Sequence, residues 1–92
     1  MRPVLIISNN AVNHNLPVST VLPFSSIETG SKIYPTEAAL STEVTGLQKP
    51  SVVMVHQILT ISHNRLVNKI GDINDTETRE KILQVCRNYF EL

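Results

Sequence analysis

Ten consecutive residues, Val52 to Ile61 (VVMVHQILTI), carry seven apolar side chains, most of them β-branched, broken only by His56, Gln57 and Thr60. The run is far shorter than the ~18 residues a bilayer span requires, and its make-up favours a strand over a helix. It predicts a strand long enough to cross a sheet and bend. A strand this apolar needs neighbours on its edges and cover on its faces, which the rest of the chain must supply.

Several segments qualify. Val4 to Ile7 (VLII) follows Pro3, whose missing N–H is harmless at the first residue of a strand. Val18 to Phe24 (VSTVLPF) alternates, with Pro23 restricting it to an edge or a strand end. Thr36 to Leu40 (TEAAL) is a weaker strand, because its two Ala residues prefer a helix, and Val67 to Ile73 is another, with Gly71 inside it. Between them, "NNAVNHNLP" reads as a polar loop, "SSIETGSKIYP" as a Gly-bearing loop, "TGLQKPS" as a turn and "SHNRL" as a turn or single helical turn.

The end of the chain changes period. Asn74 is a candidate cap with Glu77 three residues on, and Ile82, Val85, Cys86, Tyr89 and Phe90 recur on one helical face. With 92 residues and no repeat or linker, the expectation is one small, mainly β domain spanning 1–92, its barrel-like sheet packed under a C-terminal helix.

Composition removes several function classes. Eight Lys and Arg balance eight Asp and Glu, so any nucleic-acid binding must come from local charge. Aromatics are limited to Phe24, Tyr34, Tyr89 and Phe90, which leaves few platforms for stacked bases. The lone Cys86 excludes an internal disulfide framework and fits a reducing compartment. "VLII" and "SVVMV" are too short for a membrane span or a signal-peptide core, so a cytoplasmic protein without membrane contact is expected. His14, His56 and His63 lack ligand-like spacing with carboxylates, and the three glycines are scattered, so neither a metal nor a cofactor is expected.

Taken singly, the remaining polar residues have ordinary explanations. Arg2 is a terminal charge, Ser25 and Ser26 can cap a turn, and Lys32, Lys49 and Lys69 suit a solvated surface. His56 reads as a half-buried histidine with a hydrogen-bonded neighbour, or as a proton donor. Gln57, inside an apolar strand, needs a partner in the protein or in a ligand. Cys86 on the apolar helix face reads as an inert core residue.

Read together, "RPVLIISNN", "VLPFSS", "KPSVVMVHQILTISHNRL" and "KIGDINDTETREKI" resemble, in order and spacing, the PemK/MazF family of toxin–antitoxin ribonucleases. The resemblance covers nearly the whole chain. It implies a small SH3-like barrel with a C-terminal α-helix, working as a homodimer. It also implies metal-independent cleavage of single-stranded RNA, in which the RNA's own 2′-hydroxyl attacks the adjacent phosphate, and a cognate antitoxin whose acidic tail covers the RNA groove.

Residue by residue, Arg2 matches the family's Arg before the Pro, which looks like the principal cation at the scissile phosphate. Ser25 matches the Thr or Ser that closes the following strand and hydrogen-bonds there. Gln57 matches a Gln that reads the RNA, and Asn9 matches the Asn of the family's "SND" turn at the groove. The resemblance thus implies Arg2 and Ser25 as catalytic and Asn9 and Gln57 as RNA-binding.

The chain also departs from the family. Relatives usually carry a further strand and a loop of the "GSEQ" kind before the Arg, where this chain has only Met1, so that loop's Glu has no counterpart. Val4 to Ile7 is accordingly expected to have an edge that a second subunit or another segment covers. Leu59 replaces an Arg common in "QIRT", and His56 stands where relatives often have an acidic residue, which makes it a candidate replacement proton carrier. Two rival readings stay open: a catalytically impaired remnant that still captures antitoxin, and a gyrase-inhibiting relative on the same fold.

Overall fold

The computed structural model describes residues 2–28 and 30–92. β2 (Val18–Ser26) is the strand on which the others assemble. β1 (Val4–Ile6) runs antiparallel along one edge of it, with Val4 facing Pro23, Leu5 facing Leu22 and Ile6 facing Val21. Its other edge is shared: β4 (Ser51–Met54) pairs with Phe24 to Ser26, and β5 (Leu59–Ser62) pairs with Val18 to Val21. β3 (Glu37–Leu40) lies antiparallel outside β4.

The apolar run 52–61 therefore crosses the sheet and bends, as expected, but it does so through a break. A single 3₁₀ turn, Val55–Gln57, separates β4 from β5. Facing residues on β2 and β4 sum to 77, as in Phe24 with Val53, whereas those on β2 and β5 sum to 80, as in Val21 with Leu59. The turn absorbs this shift of three residues. The break also accounts for Pro23, which the sequence assigns to an edge or a strand end. Pro23 lies in a strand flanked on both sides, at the point between its two neighbours where the partner chain leaves the ladder, so its missing N–H costs no sheet bond.

Strand alternation divides the side chains between two faces. On one face Leu22, Phe24, Ala38, Leu40, Val53 and Val55 form the buried core with Ile82 of the C-terminal helix α3 (Thr76–Phe90), and Leu5, Ile7 and Ile58 pack against it. Lys81 of α3 donates to the Ala39 carbonyl at 2.6 Å, covering an outward-facing acceptor on the free edge of β3. The family expectation of a mainly β fold with a C-terminal helix holds. Among the described residues the sheet is not closed into a barrel.

Four local expectations need correction. The "polar loop" contains a short helix, α1 (Asn10–Asn15), because the Asn9 side chain caps it by accepting from Val12 N–H at 3.0 Å. A second short helix, α2 (Thr42–Thr45), precedes the turn at Gly46, which takes the left-handed conformation that suits glycine. Val67 to Ile73 forms no strand; Val67 and Ile70 are exposed. Helix α3 is capped by Asp75 rather than Asn74, with Thr78 giving both its backbone N–H and its hydroxyl to the carboxylate. Asn74 instead accepts from the Arg79 guanidinium. Of the five residues expected on the apolar face of α3, Ile82 is buried and Val85 and Cys86 are half-buried, while Tyr89 and Phe90 are exposed and pack edge to face on each other. Among the described residues, no helix is long and apolar enough to cross a membrane.

Candidate functional site

The face of the sheet opposite the core holds the residues of interest. Ile7 N–H donates to Thr20 O at 2.9 Å and Phe24 N–H to Pro3 O at 3.2 Å. These bonds mark Ile7/Thr20 and Pro3/Phe24 as hydrogen-bonded pairs, so Val4/Pro23 is a non-hydrogen-bonded pair in the alternating pattern. Carried one step beyond Pro3, the same register puts Arg2 across from Ser25 in a second position of that kind. Arg2 and Ser25 are both exposed, and among the described residues no hydrogen bond or ion pair engages either side chain.

The row continues across the sheet, since Ser25 faces Val52 and Val52 faces Ala39. Ser25 and Val52 also line a cleft of about 140 Å³ with Ser26, Lys32, Tyr34 and Glu37. Glu37 is half-buried, and its Oε1 accepts from Tyr34 N–H at 2.9 Å. A hydroxyl and a carboxylate thus border one concave stretch, with Arg2 one strand away from Ser25 by the continued register. Such a set can hold a phosphodiester between cation and hydroxyl. Lys32, assigned to the solvated surface, is exposed and also contributes to this cleft.

Gln57 and His56 both lie in the 3₁₀ turn and both are exposed, so neither is the buried strand residue that alternation suggests. The turn faces the middle of β2 near Leu22, about 10 Å along the strand from Ser25. His56 Nδ1 lies 2.8 Å from Thr36 Oγ1, next to Glu37. Asn9 is not brought to this group within one chain: it follows the opposite end of β1 from Arg2, and its Oδ1 is committed to capping α1.

A buried network was missed by the sequence reading. Ser19, 1% exposed, lies 2.8 Å from Asn13 Oδ1 and 2.8 Å from His63 Nε2. Asn13 Nδ2 donates to Ser8 O, which orients the amide so that its oxygen accepts from the hydroxyls of Ser8 and Ser19. The Ser19 proton is therefore committed to Asn13, and His63 Nε2 must be the donor in the other contact. A Ser–His pair wired in this direction is a structural clamp, not an activated nucleophile.

Charge states elsewhere follow local chemistry. Hydrogen bonds from Thr78 hold the Asp75 carboxyl below its ordinary value, and burial pushes the Cys86 thiol up, which keeps it protonated and unreactive. Among the described residues, no three His, Cys, Asp or Glu side chains gather as a metal site.

The family model for PemK-like, MazF-like toxins of type II toxin–antitoxin systems matches residues 1–88. This chain belongs to that family. It is 32% identical over 82 residues to the endoribonuclease EndoA of Bacillus subtilis (strain 168), a match that takes in 89% of this chain and 69% of EndoA. Among solved structures, the Mycobacterium tuberculosis toxin MazF-mt6 is 31% identical, with a TM-score of 0.83 over 99% of this chain and 87% of that one. A mycobacterial endoribonuclease solved with its cognate antitoxin is 22% identical and shares the fold, with a TM-score of 0.83 over 99% of this chain and 82% of that one. For a PemK/MazF-like chain, the face bearing Arg2 and Ser25 becomes the surface on which to look for activity.

Proposed function

We propose that this PemK/MazF-family chain is the toxin of a toxin–antitoxin pair and acts as a metal-independent endoribonuclease on single-stranded RNA. The observation that supports the reading is the β1–β2 register, which, continued by one residue beyond Pro3, puts the exposed Arg2 across from the exposed Ser25. The relatives named endoribonucleases support the same reading.

In this mechanism the RNA's 2′-oxygen forms a bond to phosphorus and loses its proton, while the bond to the 5′-oxygen breaks and that oxygen gains a proton. The products are a 2′,3′-cyclic phosphate and a 5′-hydroxyl. Arg2 donates two parallel N–H bonds to the non-bridging oxygens as negative charge accumulates on the phosphorane. Ser25 adds a neutral donor from the adjacent strand. Gln57, further along the face, binds the RNA strand through its amide, and Asn9 retains an amide N–H₂ for the same purpose.

Asn9 joins such a groove most simply from a second copy, which fits a homodimer working in the cytoplasm. Ile6 and Leu59, 44% and 42% exposed on either side of the buried Val21, suit that contact. The cognate antitoxin would then inhibit by covering the Arg2–Ser25 face.

The test is incubation of the purified protein with a long single-stranded RNA in chelator, followed by mapping of the new ends. Cyclic-phosphate ends that disappear in Arg2→Ala and Ser25→Ala support the proposal. Absence of cleavage by the unmodified protein, or full activity in both variants, overturns it.

A further inference from the structure

We propose that the cleft between β3, β4 and the 31–34 loop is a base-reading pocket that selects a cytosine beside the scissile phosphate. The inference rests on the ribonuclease reading for its substrate but on different residues for its specificity. Ser25 links the two, because it stands opposite Arg2 in the strand register and also lines the cleft. A nucleotide whose phosphate lies between Arg2 and Ser25 has its base within reach of this opening.

The cleft's size suits a single ring. At about 140 Å³ it matches the roughly 150 Å³ cavities known to hold one benzene ring, well below the ~300 Å³ at which pockets for drug-sized ligands begin. One pyrimidine fits this space better than a two-ring purine. Tyr34, 58% exposed, offers a ring against which a base can lie, and Val52 and Ile33 supply apolar wall.

Glu37 discriminates between pyrimidines. Its Oε1 is held by the Tyr34 N–H, which fixes the carboxylate and leaves Oε2 without a partner among the described residues. Among the described residues no ion pair neutralises it. An ionised carboxylate only accepts hydrogen bonds, and the N4 amino group of cytosine donates them. Uracil presents a carbonyl oxygen at that position, which the carboxylate repels. Lys32, on the same rim, is available to the neighbouring phosphate.

The experiment uses the full chain and four short RNA oligonucleotides carrying 2′-deoxyribose at the scissile position, identical except for C, U, A or G at one base. Amide NMR shifts report the site, and the same titrations give the affinities. The expected result is movement of the Tyr34, Glu37 and Val52 amides, with the C oligonucleotide bound about ten-fold more tightly than the U one. Glu37→Gln, which keeps an oxygen for the Tyr34 N–H, should bring that ratio to within about two-fold by supplying a donor for uracil as well. Unmoved cleft amides, a preference for any other base, or an unchanged ratio in Glu37→Gln each overturn the pocket. If RNA is cut while the cleft stays silent, the pocket fails alone; if the cleft prefers C while natural RNA survives intact, the nuclease reading fails alone.

Discussion

Phe24 N–H donates to Pro3 O one pair beyond the end of β1, and the β1–β2 register continued by one further residue puts Arg2 across from Ser25. The pairing depends on Pro3, whose carbonyl accepts from Phe24 N–H and extends the ladder to the residue before it. In the proposed reaction, such an arrangement would let two short contacts act on one phosphate without rearrangement of the strands.

The proposed association through the same face makes a prediction about oligomeric state. If the proposed homodimer forms through Ile6 and Leu59, sedimentation should show a dimer for the unmodified chain and a monomer for Leu59→Glu. Leu83→Glu, at an equally exposed site on α3, should leave the dimer intact. Dimeric Leu59→Glu protein would exclude this face as the interface.

The Ser19 clamp concerns stability rather than chemistry. Ser19→Ala removes the hydroxyl shared by the half-buried Asn13 and His63, although Asn13 keeps its bond from Ser8, and should lower unfolding free energy by about 1 kcal/mol in urea titrations. Ser25→Ala, on the exposed end of β2, should change it by less than about 0.5 kcal/mol. Equal stability of the two variants would remove the structural role assigned to Ser19.

Acid should act on α3 through its cap. The folded pKa of Asp75 is depressed by Thr78, so its contribution is present above the unfolded value of 3.8 and is lost as pH falls through the folded value. Helicity at 222 nm should therefore drop along an acid limb below pH 3.8 that is flatter in Asp75→Asn, which caps in both protonation states. Identical acid limbs in the two proteins would show that this cap is not the titrating element.

Much of the sheet is legible in the sequence because β-branched runs have few other uses, and Val4 to Ile7, Val18 to Phe24 and Val52 to Ile61 all contain strands. Residues 67–73 (VNKIGDI) form none, since Asn68, Lys69, Gly71 and Asp72 interrupt the apolar pattern and leave little to bury against the sheet. Helix α1 escapes detection because its start is set by one Asn9 side chain rather than by an apolar stripe. Pro23 misleads because tolerance of proline depends on where the neighbouring strand breaks, which the Val55–Gln57 turn determines. At the site, residue types alone leave Arg2, Ser25, Asn9 and Gln57 with ordinary explanations, and the family resemblance is what singles them out, whereas the register of Arg2 against Ser25 needs the fold. Glu37 goes unnoticed because the loop that makes its cleft lies between distant strands.

The most direct measurement is a double-mutant cycle on single-turnover RNA cleavage with Arg2→Ala, Ser25→Ala and the combined variant. If both groups act on one phosphorane, each single change should cost about 10²-fold or more, and the combined variant should be little slower than the worse single one. Losses that multiply fully would mean that the two residues work independently, and an undiminished rate in either single variant would contradict a shared site outright.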